Sequence, residues 1–158
     1  GGILLERVVD LTDYAIFSGP AFERFVPGAD DAARLDALIG MGVRHAGVTR
    51  GARGYAWKAR EGTQGLQDAF KVPVVDTTGA GDAFHGVFAL ALAAGLDAAV
   101  CARAAAAVAA LKCRRLGARA GLPTAAELDA FLLEQTGEGL PEGWLDFEGL
   151  SSPAGSAS

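Results

Sequence analysis

The stretch Val74-Val75-Asp76-Thr77-Thr78-Gly79-Ala80-Gly81-Asp82-Ala83-Phe84-His85-Gly86 determines how the rest of the chain is interpreted. It passes from a β-branched pair through two threonines and a glycine turn into an apolar run at residues 87–94. This order predicts a strand, a tight turn and the start of a helix. The N–H groups of residues 79–82 would then lie in the first helical turn without intrahelical acceptors. Together with the positive end of the helix dipole, they predict a binding site for a phosphate or a developing oxyanion.

The carboxylate of Asp82 lies in this same turn and separates the possible interpretations. A dinucleotide-binding GxGxxG motif needs glycine or alanine at the position of Phe84, and a Walker loop needs a lysine that the turn lacks. A carboxylate beside a bound phosphate repels it, unless it accepts the proton of the attacking nucleophile. The turn therefore favours phosphoryl transfer to a hydroxyl group. The alternative is that Asp82 only stabilises the helix N-terminus, by about 0.3–1 kcal/mol.

Residues 76–84 resemble the C-terminal signature of the ribokinase-like (PfkB) carbohydrate kinases. In that family the GAGD turn is the anion hole, and its aspartate is the catalytic base that acts on a sugar hydroxyl. The resemblance therefore implies that Asp82 is catalytic and that Gly79, Ala80 and Gly81 hold the transferred phosphoryl group. It also implies ATP and Mg²⁺ as cofactors and a small-molecule sugar as substrate.

Two further segments resemble parts of the nucleotide site in this family. Thr49, Gly51 and Gly54 match its VTxGxxG segment, in which the threonine and the first glycine border the nucleotide. The Lys-Cys-x-x-x-Gly spacing of residues 112–117 resembles the ketohexokinase branch, in which this loop borders the adenine, so Gly117 joins the predicted nucleotide site. Arg50 and Arg53 lie in the turn that contains Gly51 and Gly54, and they are expected to be solvated rather than to bind phosphate.

The resemblance implies two metal sites, and this sequence contains the residues expected for one of them but not the motif of the other. Many members of the family bind a monovalent cation near the glycine turn, and Asp76 and Thr78 stand where ligands of K⁺ would be. The Asn-x-x-Glu motif that orders Mg²⁺ through water is not present in register, and residues 18–23 stand in its place. Glu23 is predicted to be a solvated helix residue.

Composition and charge restrict the class of protein. The chain has 158 residues, of which 51% are hydrophobic and 21% charged, so it can bury a core of one domain. Its net charge of -5 argues against nucleic acid or an anionic membrane as a partner. Cys101 and Cys113 lack metal-site spacing and are expected to be reduced packing residues. With no visible signal peptide, we expect a cytoplasmic protein.

Strands that alternate with helices predict an α/β fold with a mostly parallel central sheet, and the resemblance implies the three-layer ribokinase-like fold. Strands are predicted at residues 14–18, 46–50 and 55–59, the last two as a hairpin, with a strand or extended arm at 63–70. The glycine turn would lie at the carboxyl end of a strand, where such sheets bind ligands.

Helices are predicted at five places, the first from its amphipathic apolar pattern and the others with the help of capping and breaking residues. One short helix spans residues 3–11, and a second follows the cap at Asp30 or Asp31. The central helix ends at Gly95, and an alanine-rich helix follows with Asp97 as its cap. A capping box of Thr124 with Glu127 begins the last one. We expect His45 to be a surface residue, and His85, three residues after Asp82, to have a packing and hydrogen-bonding role.

The resemblance covers about residues 10–135 and matches only the C-terminal half of the family's domain. We therefore expect residues 1–136 to be the ATP-binding, catalytic part of a kinase whose N-terminal half is absent. Residues 137–158 are predicted to be an acidic tail rich in glycine, proline and serine, in which Trp144 and Phe147 dock and residues 151–158 are disordered. The full-length protein is a candidate homodimer.

The favoured function is ATP-dependent phosphorylation of a hydroxymethyl group of a sugar, with this piece inactive alone. Three alternatives stay open. The chain could be a nucleotide-binding remnant without activity, part of a nucleoside kinase of the same family, or a purely structural α/β domain.

Overall fold

The computed structural model describes residues 7–141, 143 and 144. These residues form one four-stranded sheet with helices packed on both of its faces. The strands are β1 (Tyr14–Ser18), β2 (His45–Thr49), β3 (Tyr55–Ala59) and β4 (Gln64–Gln67). The helices are α1 (Gly19–Phe25), α2 (Asp31–Gly40), α3 (Ala80–Ala93), α4 (Ala98–Cys113) and α5 (Ala125–Thr136). Among the helices of these residues, none has the length and apolar character needed to cross a membrane.

The sheet is mixed, and the expectation of a mostly parallel sheet is wrong. The strand order is β1-β2-β3-β4, and only β1 and β2 run parallel, while β2 with β3 and β3 with β4 are antiparallel. The connections explain this result, because residues 50–54 and 60–63 are hairpin loops. A parallel pair needs a crossover of a dozen or more residues, which neither loop supplies.

Side chains alternate between the two faces of the sheet and build two cores. On one face, α1 and α2 pack against the β2 residues Ala46 and Val48, both 0% exposed. On the other face, α3 and α4 pack against the β3 residues Tyr55 and Trp57. Because β2 is covered on both sides, residues 45–48 are all buried.

The residues that begin and end the helices act as the local sequence predicts. The side chains of Asp30 and Asp97 accept hydrogen bonds from N–H groups at the starts of α2 and α4. Thr124 and Glu127 form the complete capping box of α5. Gly95 has a φ of +79° just after α3, so the central helix ends where a left-handed residue is needed.

His45 is buried, and the prediction of a surface residue is wrong. Its side chain lies between β3 and α3, with ring centroids 5.3 Å from Trp57 and 5.5 Å from Phe88. Its Nε2 atom lies 2.8 Å from the hydroxyl of Tyr55, so the buried polar ring has a partner. Loss of hydration lowers the pKa of His45 to about 4, which keeps the ring neutral.

No strand precedes the glycine turn. Val74 and Val75 are 64% and 63% exposed and belong to an extended segment outside the sheet. The N–H groups of Val75 and Asp76 donate to the carbonyl of Cys113 at 2.8 and 3.2 Å. The segment is therefore held by the C-terminus of α4, and the turn does not lie at the carboxyl end of a strand.

Parts of the two predicted terminal segments lie within the described residues. Residues 7–9 are helical and residues 10 and 11 form a turn, whereas residues 3–6 of the predicted first helix lie outside the described residues. Trp144 packs against the cores beside α3–α5, as expected for a docked side chain. Phe147 and residues 151–158 lie outside the described residues. The division at residue 136 stays a prediction.

Candidate active site

The first turn of α3 presents N–H groups that no carbonyl in the described part of the chain accepts. Gly79 caps the helix, and the N–H of Ala80 donates to Thr77 O at 3.1 Å. The N–H groups of Gly79, Gly81 and Asp82 have no acceptor among the described residues. The predicted set of four thus becomes three, because Ala80 closes the turn instead of pointing at a ligand. Three such donors at the positive end of a helix dipole suit a phosphate or an oxyanion.

Gly79 and Gly81 differ in how much space a side chain would have at each position. Gly79 has a φ of +78°, and a Cβ atom there would stand 2.9 Å from the Cβ of Ala118. A Cβ atom on Gly81 would meet nothing within 4 Å. Gly79 is therefore required by the backbone and its neighbour, whereas the space beside Gly81 is open to a ligand.

Asp82 lies in the first turn of α3 with its side chain exposed. Its carboxylate has no hydrogen-bond partner among the residues that the structure describes. It is therefore available to accept a proton from a bound hydroxyl group.

The side chain of His85 lies on the same helix, one turn further along. Its Nδ1 atom is 2.7 Å from the carbonyl oxygen of Gly81, which can only accept, so Nδ1 carries the proton. The hydrogen-bonding role predicted for His85 is confirmed. The ring is exposed rather than packed in a core.

Asp76 connects the glycine turn to the loop that follows α4. Its Oδ1 atom accepts the N–H of Thr78 at 2.9 Å, and its Oδ2 atom accepts the N–H of Gly117 at 2.8 Å. These bonds, with that of Thr78 the largest contribution and Lys112 a smaller one, hold the pKa of the Asp76 carboxyl well below its usual range. Asp76 and Thr78, predicted together as cation ligands, are thus joined to Gly117, which was predicted separately as part of the nucleotide site.

Lys112 also joins the glycine turn to the loop after α4. The Lys-Cys-x-x-x-Gly spacing alone did not indicate this role. Its side chain is 0% exposed, and Nζ donates to the carbonyl of Asp76 at 2.8 Å and to that of Arg115 at 3.3 Å. The same nitrogen lies 3.3 Å from Asp76 Oδ2. One signal was present in the sequence, since Lys112 follows the buried Val108 by four residues and so shares its face of α4.

The hairpin that carries Thr49, Gly51 and Gly54 begins beside the first turns of α3. Thr49 ends β2 and pairs with Tyr55, whose ring centroid lies 5.0 Å from that of Phe84. A Cβ atom on Gly54 would stand 2.0 Å from Gln67 O, so this glycine serves the packing of the hairpin on β4. Gly51 has a φ of +56° and open space around it.

Arg50 is not the solvated turn residue that was predicted. Its side chain is 10% exposed, and it pairs with Glu23 at 2.5 Å and with the carboxylate of Asp31. The hydrogen bond to Asp31 is the largest cause that raises the pKa of Arg50. Arg50 therefore joins the hairpin to α1 and α2. Arg53 is exposed, as predicted.

The described residues contain no group of three or more histidine, cysteine or acidic side chains able to hold a metal ion. Glu23 is exposed as expected, but its carboxylate is paired with Arg50. Within the described residues, a Mg²⁺ ion would fit as the ion that accompanies nucleotide phosphates, a mode of binding that is usual for magnesium.

Comparison with known proteins identifies the family. The model of the pfkB family carbohydrate kinases matches residues 4–125, and the chain belongs to this family. The ribokinase of Schizosaccharomyces pombe is 38% identical over 98 residues, which are 61% of this chain and 31% of that protein. The chain thus spans about a third of the length of the curated relatives it matches.

Solved structures agree with this assignment. A candidate ribokinase II from E. coli, in complex with ATP and Mg²⁺, has a TM-score of 0.77 at 27% identity, over 83% of this chain and 42% of that chain. A nucleoside kinase from Burkholderia thailandensis, in complex with inosine, has a TM-score of 0.78 at 28% identity, over 88% and 45%. A fructokinase double mutant from Vibrio cholerae with bound fructose, ADP and potassium has a TM-score of 0.72 at 29% identity, over 80% and 42%.

Proposed function

We propose that this chain carries the ATP-binding and catalytic part of a kinase that phosphorylates a hydroxymethyl group of a sugar. The observation that carries the proposal is an exposed carboxylate, Asp82, beside the N–H groups of Gly79, Gly81 and Asp82, which lack acceptors within the described residues. A carboxylate beside a bound phosphate would weaken binding by repulsion, but it assists the reaction when it takes a proton from the nucleophile. The membership of the chain in the pfkB family supports the same reaction.

The residues of the turn divide the chemistry between them. The carboxylate of Asp82 accepts the proton of the substrate hydroxyl, and the oxygen attacks the γ-phosphorus of ATP as the bond to ADP breaks. General base catalysis of this kind contributes about 10²–10⁴ in rate. The N–H groups of Gly79 and Gly81 and the dipole of α3 stabilise the charge on the transferred phosphoryl group.

The nucleotide site would combine the hairpin and the loop after α4. Thr49 and Gly51 border ATP at the hairpin, and Gly117 borders it from the loop that Asp76 holds. Mg²⁺ would arrive with the ATP and neutralise its phosphates. The spacing of Lys112, Cys113 and Gly117 adds no support for a ketohexokinase-like substrate, because Lys112 is buried toward Asp76.

A nucleoside is the second candidate substrate. The specific observation that favours it is the similarity to the Burkholderia nucleoside kinase, whose TM-score of 0.78 stands beside 0.77 and 0.72 for the two sugar kinases compared above. The same turn and the same base would serve either substrate, because both reactions transfer a phosphoryl group to a primary hydroxyl.

The test is an ATP-dependent phosphorylation assay of the complete protein against a panel of sugars and nucleosides. We expect turnover with one sugar and release of ADP in equal amount. Turnover with nucleosides alone would establish the second candidate. ATP binding without turnover on any acceptor would contradict the proposal and identify a nucleotide-binding remnant, and no ATP binding at all would identify a structural domain.

A further inference from the structure

A fully buried ammonium group lies beneath the phosphate-binding turn. The Nζ atom of Lys112 has oxygen neighbours at 2.8 Å (Asp76 O), 3.3 Å (Arg115 O) and 3.3 Å (Asp76 Oδ2). The side chain is 0% exposed. An ammonium has three N–H donors, and each of these oxygens can receive one, so the charge is both paired and hydrogen-bonded.

Two backbone carbonyls and one carboxylate are also the kind of oxygen ligands that hold a potassium ion. The segment around Lys112 is closely packed, since a Cβ atom on Gly121 would stand 3.3 Å from the Cε of Lys112 and 2.7 Å from the carbonyl oxygen of Gly117. The ammonium therefore occupies an oxygen-lined position that leaves little room for a second cation.

The residues predicted to bind potassium do not fit that ion in this chain. Asp76 Oδ1 accepts the N–H of Thr78, and Oδ2 already accepts Gly117 and lies beside Lys112. A second positive charge next to the buried ammonium would be repelled more strongly than in water, because the local dielectric constant is low. The Vibrio cholerae fructokinase was solved with bound potassium.

We infer that the ammonium of Lys112 is a built-in cation that replaces an exchangeable monovalent cation beside the glycine turn. Lys112 holds Asp76, and Asp76 in turn holds the N–H groups of Thr78 and Gly117. Lys112 is thus a positioning residue that keeps the turn at residues 76–82 against the loop at residues 115–121. The inference concerns the same turn as the proposed kinase activity, but its test measures thermal stability and does not depend on turnover.

The first measurement compares the melting temperature of the chain in KCl and in tetramethylammonium chloride at equal ionic strength. Tetramethylammonium is too large for the position and donates no N–H. We expect the two values to agree within about 1 °C, because an ion that does not bind the native state cannot stabilise it. A melting temperature that rises by several degrees with KCl alone would overturn the inference.

The second measurement uses two substitutions that remove the same charge. Lys112→Ala empties the position, so the melting temperature should fall by about 5 °C or more in tetramethylammonium chloride and recover at least in part in KCl or NH₄Cl. Lys112→Met fills the space with an apolar chain and should show the loss without the recovery.

Lys71→Ala, at an exposed lysine, is the surface control and should behave as the unmodified chain does. An alanine variant as stable as the unmodified chain, or one with no salt-specific recovery, would contradict the inference. If the variants do not fold, the comparison of salts on the unmodified chain decides alone.

Discussion

Gly79 and Gly81 lie two residues apart, yet the structure requires glycine only at residue 79. Gly79 has a φ of +78° and lies against Ala118, so any side chain there would disturb the turn itself. Gly81 has a helical position with open space beside it. A substitution of Gly81 can therefore change ligand binding without disturbing the fold, whereas a substitution of Gly79 cannot.

Gly81→Val should therefore reduce phosphoryl transfer much more than stability. The valine would place its side chain where the phosphate approaches the N–H groups, so we expect kcat/KM to fall by about 10²-fold or more, as for the loss of an oxyanion contact. The free energy of unfolding should change by less than about 1 kcal/mol, because valine is no worse than glycine in a helix. Kinetics and denaturant titration of the complete protein would measure both.

Gly86→Val is the matched control, since Gly86 is an exposed residue of the same helix and nothing lies within 4 Å of its Cβ position. It should keep nearly full activity. Equal losses of activity in the two variants would show that Gly81 serves only the helix.

At the scale of single residues, the sequence predicted correctly those features that depend on residues nearby in the chain. The position of Asp82 in a helical turn and the hydrogen bond of His85 follow from spacing along one helix. The environments of Arg50, His45 and Lys112 depend on partners far away in the chain, such as Asp31 for Arg50 and Asp76 for Lys112. Sequence spacing carries no information about such partners.

At the scale of elements, β1 and the caps of α2, α4 and α5 were predicted because their signals are local. The predicted strand at Val74 and Val75 failed because β-branched residues favour a strand only where a neighbouring strand is available. The direction of the sheet could have been predicted correctly, since the hairpin at residues 50–54 already implied an antiparallel pair.

The interface of β2, β3 and α3 should make stability depend on pH through His45. The folded state lowers the pKa of His45 to about 4 from 6.5, so the unfolded state binds more protons between these values. The free energy of unfolding should therefore fall as the pH is lowered from 6.5 toward 4, by at most about 1.4 kcal/mol per pH unit. Denaturant titrations at pH 7, 6 and 5 would measure the slope.

His45→Gln should remove most of that slope, because an amide can still bond to Tyr55 but does not titrate in this range. Glu127, with its pKa lowered to about 2, contributes only below its ordinary value of 4.5. His85→Gln, at the exposed histidine, is the control and should keep the slope. An unchanged slope in His45→Gln would show that the burial of His45 does not control this pH dependence.

At the scale of the whole molecule, the chain aligns with 42–45% of the length of the kinase structures compared above. β1 lies at an edge of the sheet, and its Tyr14 is 38% exposed. A strand at the edge of a sheet can pair with another strand. The described residues include the turn and the carboxylate for which we propose phosphate binding and base catalysis, but phosphoryl transfer also needs an acceptor held in line with ATP.

We therefore expect the 158-residue chain, expressed by itself, to show no measurable turnover on the panel of sugars. The complete protein, assayed in parallel, should be active. Comparable specific activity of the two would mean that this chain builds an acceptor pocket of its own.

The proposed role of Asp82 is tested most directly by the turnover of Asp82→Asn in the complete protein. The amide keeps the shape of the side chain but cannot accept the proton, so we expect kcat to fall by about 10²-fold or more while ATP affinity changes only a few-fold. Asp97→Asn, at the N-terminus of α4, is the control, because asparagine also caps a helix, and it should keep full activity. Turnover of Asp82→Asn equal to that of the unmodified enzyme would contradict the assignment of Asp82 as the base.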